Sequence, residues 1–357
     1  MHVELHQNYR ESREGRAAKD ILSACVHCGF CLATCPTYLD SQDERDSPRG
    51  RIYLIKQLLE TGAASQSTQT HLDRCLTCRS CETTCPSGVQ YGALVDIGRR
   101  LTEQQVTRPN YERAFRWLLR KLISNQQLFG FLLKTGQFFR PLLPPFLRRA
   151  IPPKQTQGAT PAAQHSRTML VLEGCVQSSA TPNTNAAAKR VLDKLGISLV
   201  SVKKAACCGA VNIHLSAHED GLDDMRRNID AWWPLIDPDT TACAEAIVST
   251  ASGCGSMLAD YGDLLAHDPA YAARASRVTD LAKDISEILM QENLEPLRPH
   301  SDIGRVAVHT PCSLQHALNL PGAVPEILNR AGFELADTTE KHLCCGSAGT
   351  YSILQPG

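Results

Sequence analysis

Two stretches decide how this chain folds: Cys25-Val26-His27-Cys28-Gly29-Phe30-Cys31-Leu32-Ala33-Thr34-Cys35-Pro36 and Cys75-Leu76-Thr77-Cys78-Arg79-Ser80-Cys81-Glu82-Thr83-Thr84-Cys85-Pro86. Each has the spacing C-x2-C-x2-C-x3-C-P. Three thiolates two residues apart let a short loop wrap one [4Fe-4S] cube, and the fourth, followed by Pro, reaches a second cube. That rule assigns Cys25, Cys28, Cys31 and Cys85 to one cluster and Cys75, Cys78, Cys81 and Cys35 to the other, so the two runs must meet in space. Pairs of the form C-x2-C also build tetrahedral zinc sites, but those usually separate their two pairs by a longer loop. A disulfide framework is disfavoured, because the first twenty residues mix Glu4, Arg10, Glu11, Arg13, Glu14, Arg16 and Lys19 without the apolar centre of an export signal. His27 lies inside the first loop, where packing beside a cluster is the ordinary role and a redox or proton role the alternative.

The composition bounds the rest. A chain of 357 residues with 43% hydrophobic content can bury two or three cores, so several domains are expected. Lys+Arg and Asp+Glu are equal at 37 each, which argues against nucleic-acid binding through overall charge. No apolar run is long enough for a transmembrane helix. Sixteen cysteines in such a chain read as metal ligands in a reducing compartment, and the expected location is cytoplasmic.

Between the cysteine runs, Ser47-Pro48-Arg49 opens a segment from Gly50 to Glu60. Its Ile52, Ile55, Leu58 and Leu59 recur at helical spacing, and Gly62 stops it. Residues 1–20 read as a polar helix, and Ala93 to Gln105 as another that closes a mainly helical unit. From Arg113 to Leu172 there is no Asp or Glu, while Phe115, Leu118, Leu119, Leu122, Phe129, Leu132 and Leu133 keep a helical period among Arg113, Arg116, Arg120, Lys121, Lys134 and Arg140. This predicts a basic amphipathic helix pair. It either docks on an anionic membrane surface or acidic partner, or packs on the chain's own domains with a solvated basic face. Gln155 to Ser166 reads as a linker.

The second half carries a repeat. Thr168 to Leu172 is a strand leading to Gly174-Cys175; Ala186 to Leu195 is a helix closed by Gly196, Ser198 to Val202 a strand, and Cys207-Cys208-Gly209 follows. A helix at Leu222 to Ile236 and a strand at Ala246 to Thr250 lead to Ser252-Gly253-Cys254-Gly255. The same order returns 137 residues later: a strand at Val306 to His309, Cys312, a helix at Ala323 to Ala331, a strand at Phe333 to Ala336, and Cys344-Cys345-Gly346. Alternating strand and helix predicts an α/β layer with a parallel sheet in each copy, and ligands of such sheets gather beyond the carboxyl ends of the strands. Cys175, Cys207, Cys208, Cys254, Cys312, Cys344 and Cys345 all fall there. They are candidates for a further metal site, iron-sulfur or zinc, with buried free cysteines as the alternative. Cys243 has no counterpart and reads as core. His214, His309, His316 and His342 lie near the repeat cysteines, where packing roles outweigh ligand roles.

Together, two runs of the two-cluster ferredoxin type, the joining Ser47-Pro48-Arg49-Gly50-Arg51-Ile52 segment and two Cys-Cys-Gly repeats resemble the iron-sulfur subunits of glycolate oxidase. More broadly they resemble those of anaerobic glycerol-3-phosphate dehydrogenase, lactate-utilisation proteins and heterodisulfide reductase. The glycolate oxidase likeness rests on residues 76–88, Gly174-Cys175, residues 228–234, residues 251–255 and residues 342–351. Two departures stand out. Ala251 occupies the place of the first cysteine of the C-x-x-C that can end a repeat, which weakens an unusual five-thiolate cluster of the heterodisulfide-reductase kind. The second copy stops at Gly357, short of a counterpart to Cys254.

The resemblance implies a multidomain fold: an α-helical two-cluster ferredoxin domain followed by two α/β Cys-Cys-Gly units. The expected segments are a ferredoxin-like domain over 1–105, basic helices and linker over 106–166, a first Cys-Cys-Gly domain over 167–300 and an incomplete second over 301–357. It also implies two [4Fe-4S] clusters here and FAD on a partner flavoprotein that oxidises glycolate to glyoxylate. Electrons would pass to a membrane acceptor, naturally a quinone, from a peripheral position on the cytoplasmic face. The chain has no flavin or nicotinamide fingerprint of its own, so it is not expected to carry the substrate chemistry. The rivals are a subunit of a lactate, glycerol-3-phosphate or heterodisulfide-reductase-like system, and a non-enzymatic assembly or membrane-docking module.

Overall fold

The computed structural model describes residues 1–240, 243–299 and 303–355. It groups the chain into two compact units: Met1–Ala114 with His309–Pro321 and Thr338–Gly357, and Phe115–Val308 with Gly322–Asp337. Four consecutive segments were expected; in this grouping the cysteine loops of the second Cys-Cys-Gly copy fall in the first unit and its strand and helix residues in the second. The expected boundary at 300/301 lies outside the described residues.

The first unit is helical. Ser12 caps Arg13–Ala24 by accepting from the Gly15 amide at 3.0 Å. Ser47 does the same for Pro48–Thr61, accepting from Gly50 N at 2.9 Å, with Pro48 in the first turn, where its missing N–H costs nothing. Gly62 closes that helix in the left-handed region, at φ 75°. Helices Gln66–Asp73 and Tyr91–Gln105 complete the bundle. Leu22, Ile55, Leu58, Leu59, Leu72, Leu94 and Val95 fill its core, each burial being worth about 1.5–3 kcal/mol. The N-terminal stretch is less polar than expected: Val3, Leu5 and Tyr9 are buried in this same core, and two short helices, Gln7–Arg10 and Arg13–Ala24, replace one.

The second unit holds a four-stranded parallel sheet in the order β2-β1-β3-β4, with β1 Arg167–Leu172, β2 Ile197–Ser201, β3 Ile247–Ser249 and β4 Ala282–Asp284. Central β1 registers Arg167 with Ile197 and Leu170 with Ile247. Its alternate residues feed two cores. Met169 and Val171 pack with Ala188 and Leu192 of helix Pro182–Lys194, and Leu170 and Leu172 with Met225, Ile229 and Trp232 of helix His218–Ile236. Helices therefore cover both faces of the sheet, as an all-parallel sheet requires. β4 was not anticipated, since three residues carry too little pattern to separate a strand from the helix Ala272–Leu281 that precedes it.

The second copy forms no sheet among the described residues. One parallel bridge pairs Val306 with Leu335, the Val306 amide donating to Glu334 O at 2.8 Å and the Ala336 amide to Val306 O at 3.0 Å. In the first copy β1 gains its stability from neighbours on both sides; here the strand has one neighbour. Helix Ala323–Arg330 contributes Ile327 to a small core with Leu294 and Ala331. Among the described residues, no helix is long and apolar enough to cross a membrane.

Candidate metal centres

The two cysteine runs repeat at an offset of 50 residues, and their backbones repeat with them. His27 and Gly29 in the first loop, and Thr77 and Arg79 in the second, all have positive φ, at 57°, 85°, 54° and 57°. Alternating left- and right-handed residues turn successive amides toward one point, making a concavity that suits an anionic group. The Thr77 amide donates to Cys75 Sγ at 3.4 Å. Holding Arg79 left-handed costs about 1–2 kcal/mol that Gly29 avoids.

The loops enclose two cavities. Cys25, Cys28, Cys31 and Cys85 line the first, with Arg49 and Tyr91. Cys35, Cys75, Cys78 and Cys81 line the second, with Arg51 and Tyr91. Cys81 also borders the first, and Pro48 and Tyr91 lie against both. Each cavity thus draws three cysteines from one run and at least one from the other. Burial and then the neighbouring Cys25 push the Cys31 thiol up to about 11; burial, then Cys75, pushes Cys81 up as well. Thiols crowded in this way become thiolates readily only against a cationic group.

The geometry also speaks to the kind of group. Four thiolates on zinc at about 2.3 Å would lie about 3.8 Å apart. Among the described residues, no three cysteine sulfurs lie within 4.8 Å of one another. An all-cysteine donor set of this kind fits an iron-sulfur cluster. Among the described residues, the trio within that distance is Asp43, Asp46 and His71. Asp46 there is already bound by Arg51, Arg74 and His71, at 3.4, 3.0 and 2.8 Å.

In the second unit, Cys175 follows β1, Cys207-Cys208 follow β2 and Cys254 lies in the helix after β3, so the carboxyl ends of three strands bring four cysteines together. Cys175 hydrogen-bonds to Cys207, and Cys208 to Cys207 and Cys254. Contact with Cys175 and Cys208 holds the Cys207 thiol down, and the same contact drives Cys175 up. The loop is pinned from beneath. Fully buried Asn228 accepts from the Ala206 amide at 2.9 Å and donates to Cys207 O at 2.7 Å and Tyr261 Oη at 3.0 Å; Tyr261 in turn donates to Cys208 O at 3.0 Å. Gly209, at φ 93°, turns the chain where a Cβ would meet Gly221 O at 2.8 Å.

The second copy assembles differently. Cys312 and Cys344 lie 3.7 Å apart, and Cys344 also hydrogen-bonds to Cys78, a cysteine of the second cavity in the same unit. Cys345 is exposed. The seven repeat cysteines therefore form two groups in different units. Cys243, expected in the core, is only half-buried and donates its thiol to Asp237 O at 2.7 Å. Of the histidines, His316 pairs with Thr83 Oγ1 at 2.8 Å and His309 with Leu343 O at 3.0 Å. Burial, then Arg49, lowers the His27 pKa. Sequence reasoning passed over Arg51 and Tyr91, whose types and spacing carry no ligand signal.

Both the four-cysteine runs and the two repeats match known families. Residues 21–89 match the family described as 4Fe-4S dicluster domain, and residues 169–259 and 306–356 match the Cysteine-rich domain family. The chain is 51% identical over 357 residues to the glycolate oxidase iron-sulfur subunit of Escherichia coli, covering 100% of this chain and 86% of that protein. This chain belongs to the family of glycolate oxidase iron-sulfur subunits. Within that family, a probable glycolate oxidase iron-sulfur subunit of Bacillus subtilis is 28% identical over 382 residues, 99% of this chain and 84% of its own. Lactate utilization protein A of Bacillus licheniformis is 25% identical over 185 residues, 50% of this chain and 72% of its own.

Proposed function

We propose that this chain is the electron-transfer subunit of a complex that oxidises glycolate to glyoxylate, taking electrons from an FAD-bearing partner and passing them toward a membrane acceptor. The observation that supports the reading is a pair of cavities, each lined by cysteines of both runs, in a chain 51% identical to a glycolate oxidase iron-sulfur subunit. Cys25, Cys28, Cys31 and Cys85 would hold one [4Fe-4S] cluster, and Cys35, Cys75, Cys78 and Cys81 the other. Such clusters supply one-electron transfer, which lets a two-electron flavin be emptied in single steps. The protein's part is to keep the centres close and dry. Pro48 and buried Tyr91 fill the space bordering both cavities, while Cys28, Val26 and Phe30 leave the first loop exposed to a partner. Cys175, Cys207, Cys208 and Cys254 would form a further metal site, and Cys312, Cys344 and Cys345 a less complete one.

The helices Asn110–Ser124 and Gln126–Phe139 support a peripheral membrane position. Asp220 anchors them to the second unit through Arg120 at 2.8 Å and Lys121 at 3.1 Å. Trp117, Leu118, Phe131, Phe138, Leu142 and Phe146 are nevertheless exposed, and Lys134, Arg148 and Arg149 accompany them. An apolar face with basic flanks, on a stretch without Asp or Glu from Arg113 to Leu172, is complementary to an anionic lipid surface.

The deciding experiment is an anaerobic count of iron and labile sulfide, followed by glycolate reduction. About eight irons per chain, or more with a further cluster, are expected, reduced by glycolate only when the flavoprotein is present. Zinc with little iron, or reduction by glycolate of the chain alone, would overturn the reading.

A further inference from the structure

The two four-cysteine cavities are alike in ligands and unlike in surroundings. Arg51 is 1% exposed, and its Nη1 stands 4.0 Å from Cys35 Sγ at the wall of the second cavity. The guanidinium is fixed by donating to His71 O at 2.7 Å, Thr37 Oγ1 at 3.1 Å and Asp46 Oδ1 at 3.4 Å. Asp46 is shared with the half-exposed Arg74 and with His71, so Arg51 does not hold that carboxylate alone. On the other wall the buried Tyr91 hydroxyl donates to Cys75 Sγ at 3.7 Å. Arg99 donates to Cys75 O at 2.7 Å, which orients the same loop.

The first cavity is partnered differently: the N-terminal ammonium donates to Cys25 O at 3.0 Å, and Tyr91 lines this cavity too but gives its hydroxyl to Cys75. Among the described residues, no side-chain donor reaches the sulfurs of Cys25, Cys28, Cys31 or Cys85. Its arginine, Arg49, is about one-third exposed and neutralised by Glu44 at 2.7 Å. Reduction adds one negative charge to a thiolate-held centre. Buried positive charge and hydrogen bonds to sulfur therefore favour the reduced state where they are present.

We infer that Arg51 and Tyr91 are positioning residues that set the centre at Cys35, Cys75, Cys78 and Cys81 above its neighbour in reduction potential, making it the resting place of the electron. This rests on the two-cluster reading above. It also gives a direction within the first unit: electrons run from the exposed Cys28 loop to the Cys78 side, where Cys344 and Cys312 are next in contact.

The test is a potentiometric titration of the anaerobically prepared full chain, followed by electron paramagnetic resonance, with iron counted on each sample. Two one-electron waves are expected. Arg51→Gln should lower the upper wave at least tenfold in its reduction equilibrium, about 59 mV, and Tyr91→Phe at least threefold, about 28 mV. Arg51→Lys, which keeps the charge, should retain most of the wild-type value, and Cys28→Ser should alter the spectrum of the lower wave. Tyr91→Phe removes one oxygen and so carries the test even if Arg51→Gln does not fold. The inference is overturned if both waves stay in place in the folded variants, if the lower wave is the one that moves, or if Cys28→Ser marks the upper wave. Iron too low for two clusters in the wild-type chain would instead remove the two-cluster reading, and the inference with it.

Discussion

Asn228 offers the most direct test of how the first cysteine pair is held. It has no exposure to solvent, and its one side chain satisfies the Ala206 amide, the Cys207 carbonyl and the Tyr261 hydroxyl at 2.9, 2.7 and 3.0 Å. In Asn228→Ala the partly buried Ala206 N–H and the buried Cys207 C=O lose their partner. At roughly 1–3 kcal/mol for each stranded group, less for the partly buried one, the substitution should cost about 2–4 kcal/mol. Tyr261→Phe removes only the donor to Cys208 O and should cost about 1–2 kcal/mol. Urea unfolding followed by the fluorescence of Trp232, one turn along the same helix and fully buried, reads the loss. Reaction of the native chain with a thiol reagent reads its consequence, since Cys175, Cys207 and Cys208 are all buried and should become reactive as the loop loosens. A loss below about 1 kcal/mol with thiols still protected would refute the view that this hydrogen-bond network shapes the site.

Three further outcomes follow from other parts of the molecule. Gly209→Ala places a Cβ 2.8 Å from Gly221 O at a left-handed residue, and should cost about 2–3 kcal/mol by the same unfolding assay. Burial, partly offset by hydrogen bonds from Ser286, raises the pKa of Asp284, the cap of helix Ile285–Gln291. Its contribution is therefore present below its unfolded pKa and lost as pH rises through the folded one, so the stability of wild type relative to Asp284→Asn should fall with rising pH in that window. Phe131→Asp should weaken sedimentation with phosphatidylserine vesicles at least tenfold, and added salt should weaken the wild type; equal binding by the variant would remove the lipid-docking role of that face.

The sequence by itself determined the cysteine chemistry and most of the elements. Thiolate spacing is local, so Cys25 to Pro36 and Cys75 to Pro86 announce their loops without reference to the rest of the chain, and the apolar periods of 48–61, 167–172 and 218–236 are set by burial of one face or both. Only the tertiary structure decided what surrounds those thiolates. Arg51 looks from sequence like one more polar residue of an amphipathic helix, yet helix packing carries its charge to Cys35, and Tyr91 reaches Cys75 from a helix beyond the second run. The same holds for Cys344, which the repeat pattern groups with its own copy and the fold sets against Cys78. Ligand identity follows from the chemistry of a residue and its neighbours in sequence. Charge, burial and donors around a ligand come from segments far apart in the chain, and packing alone fixes them.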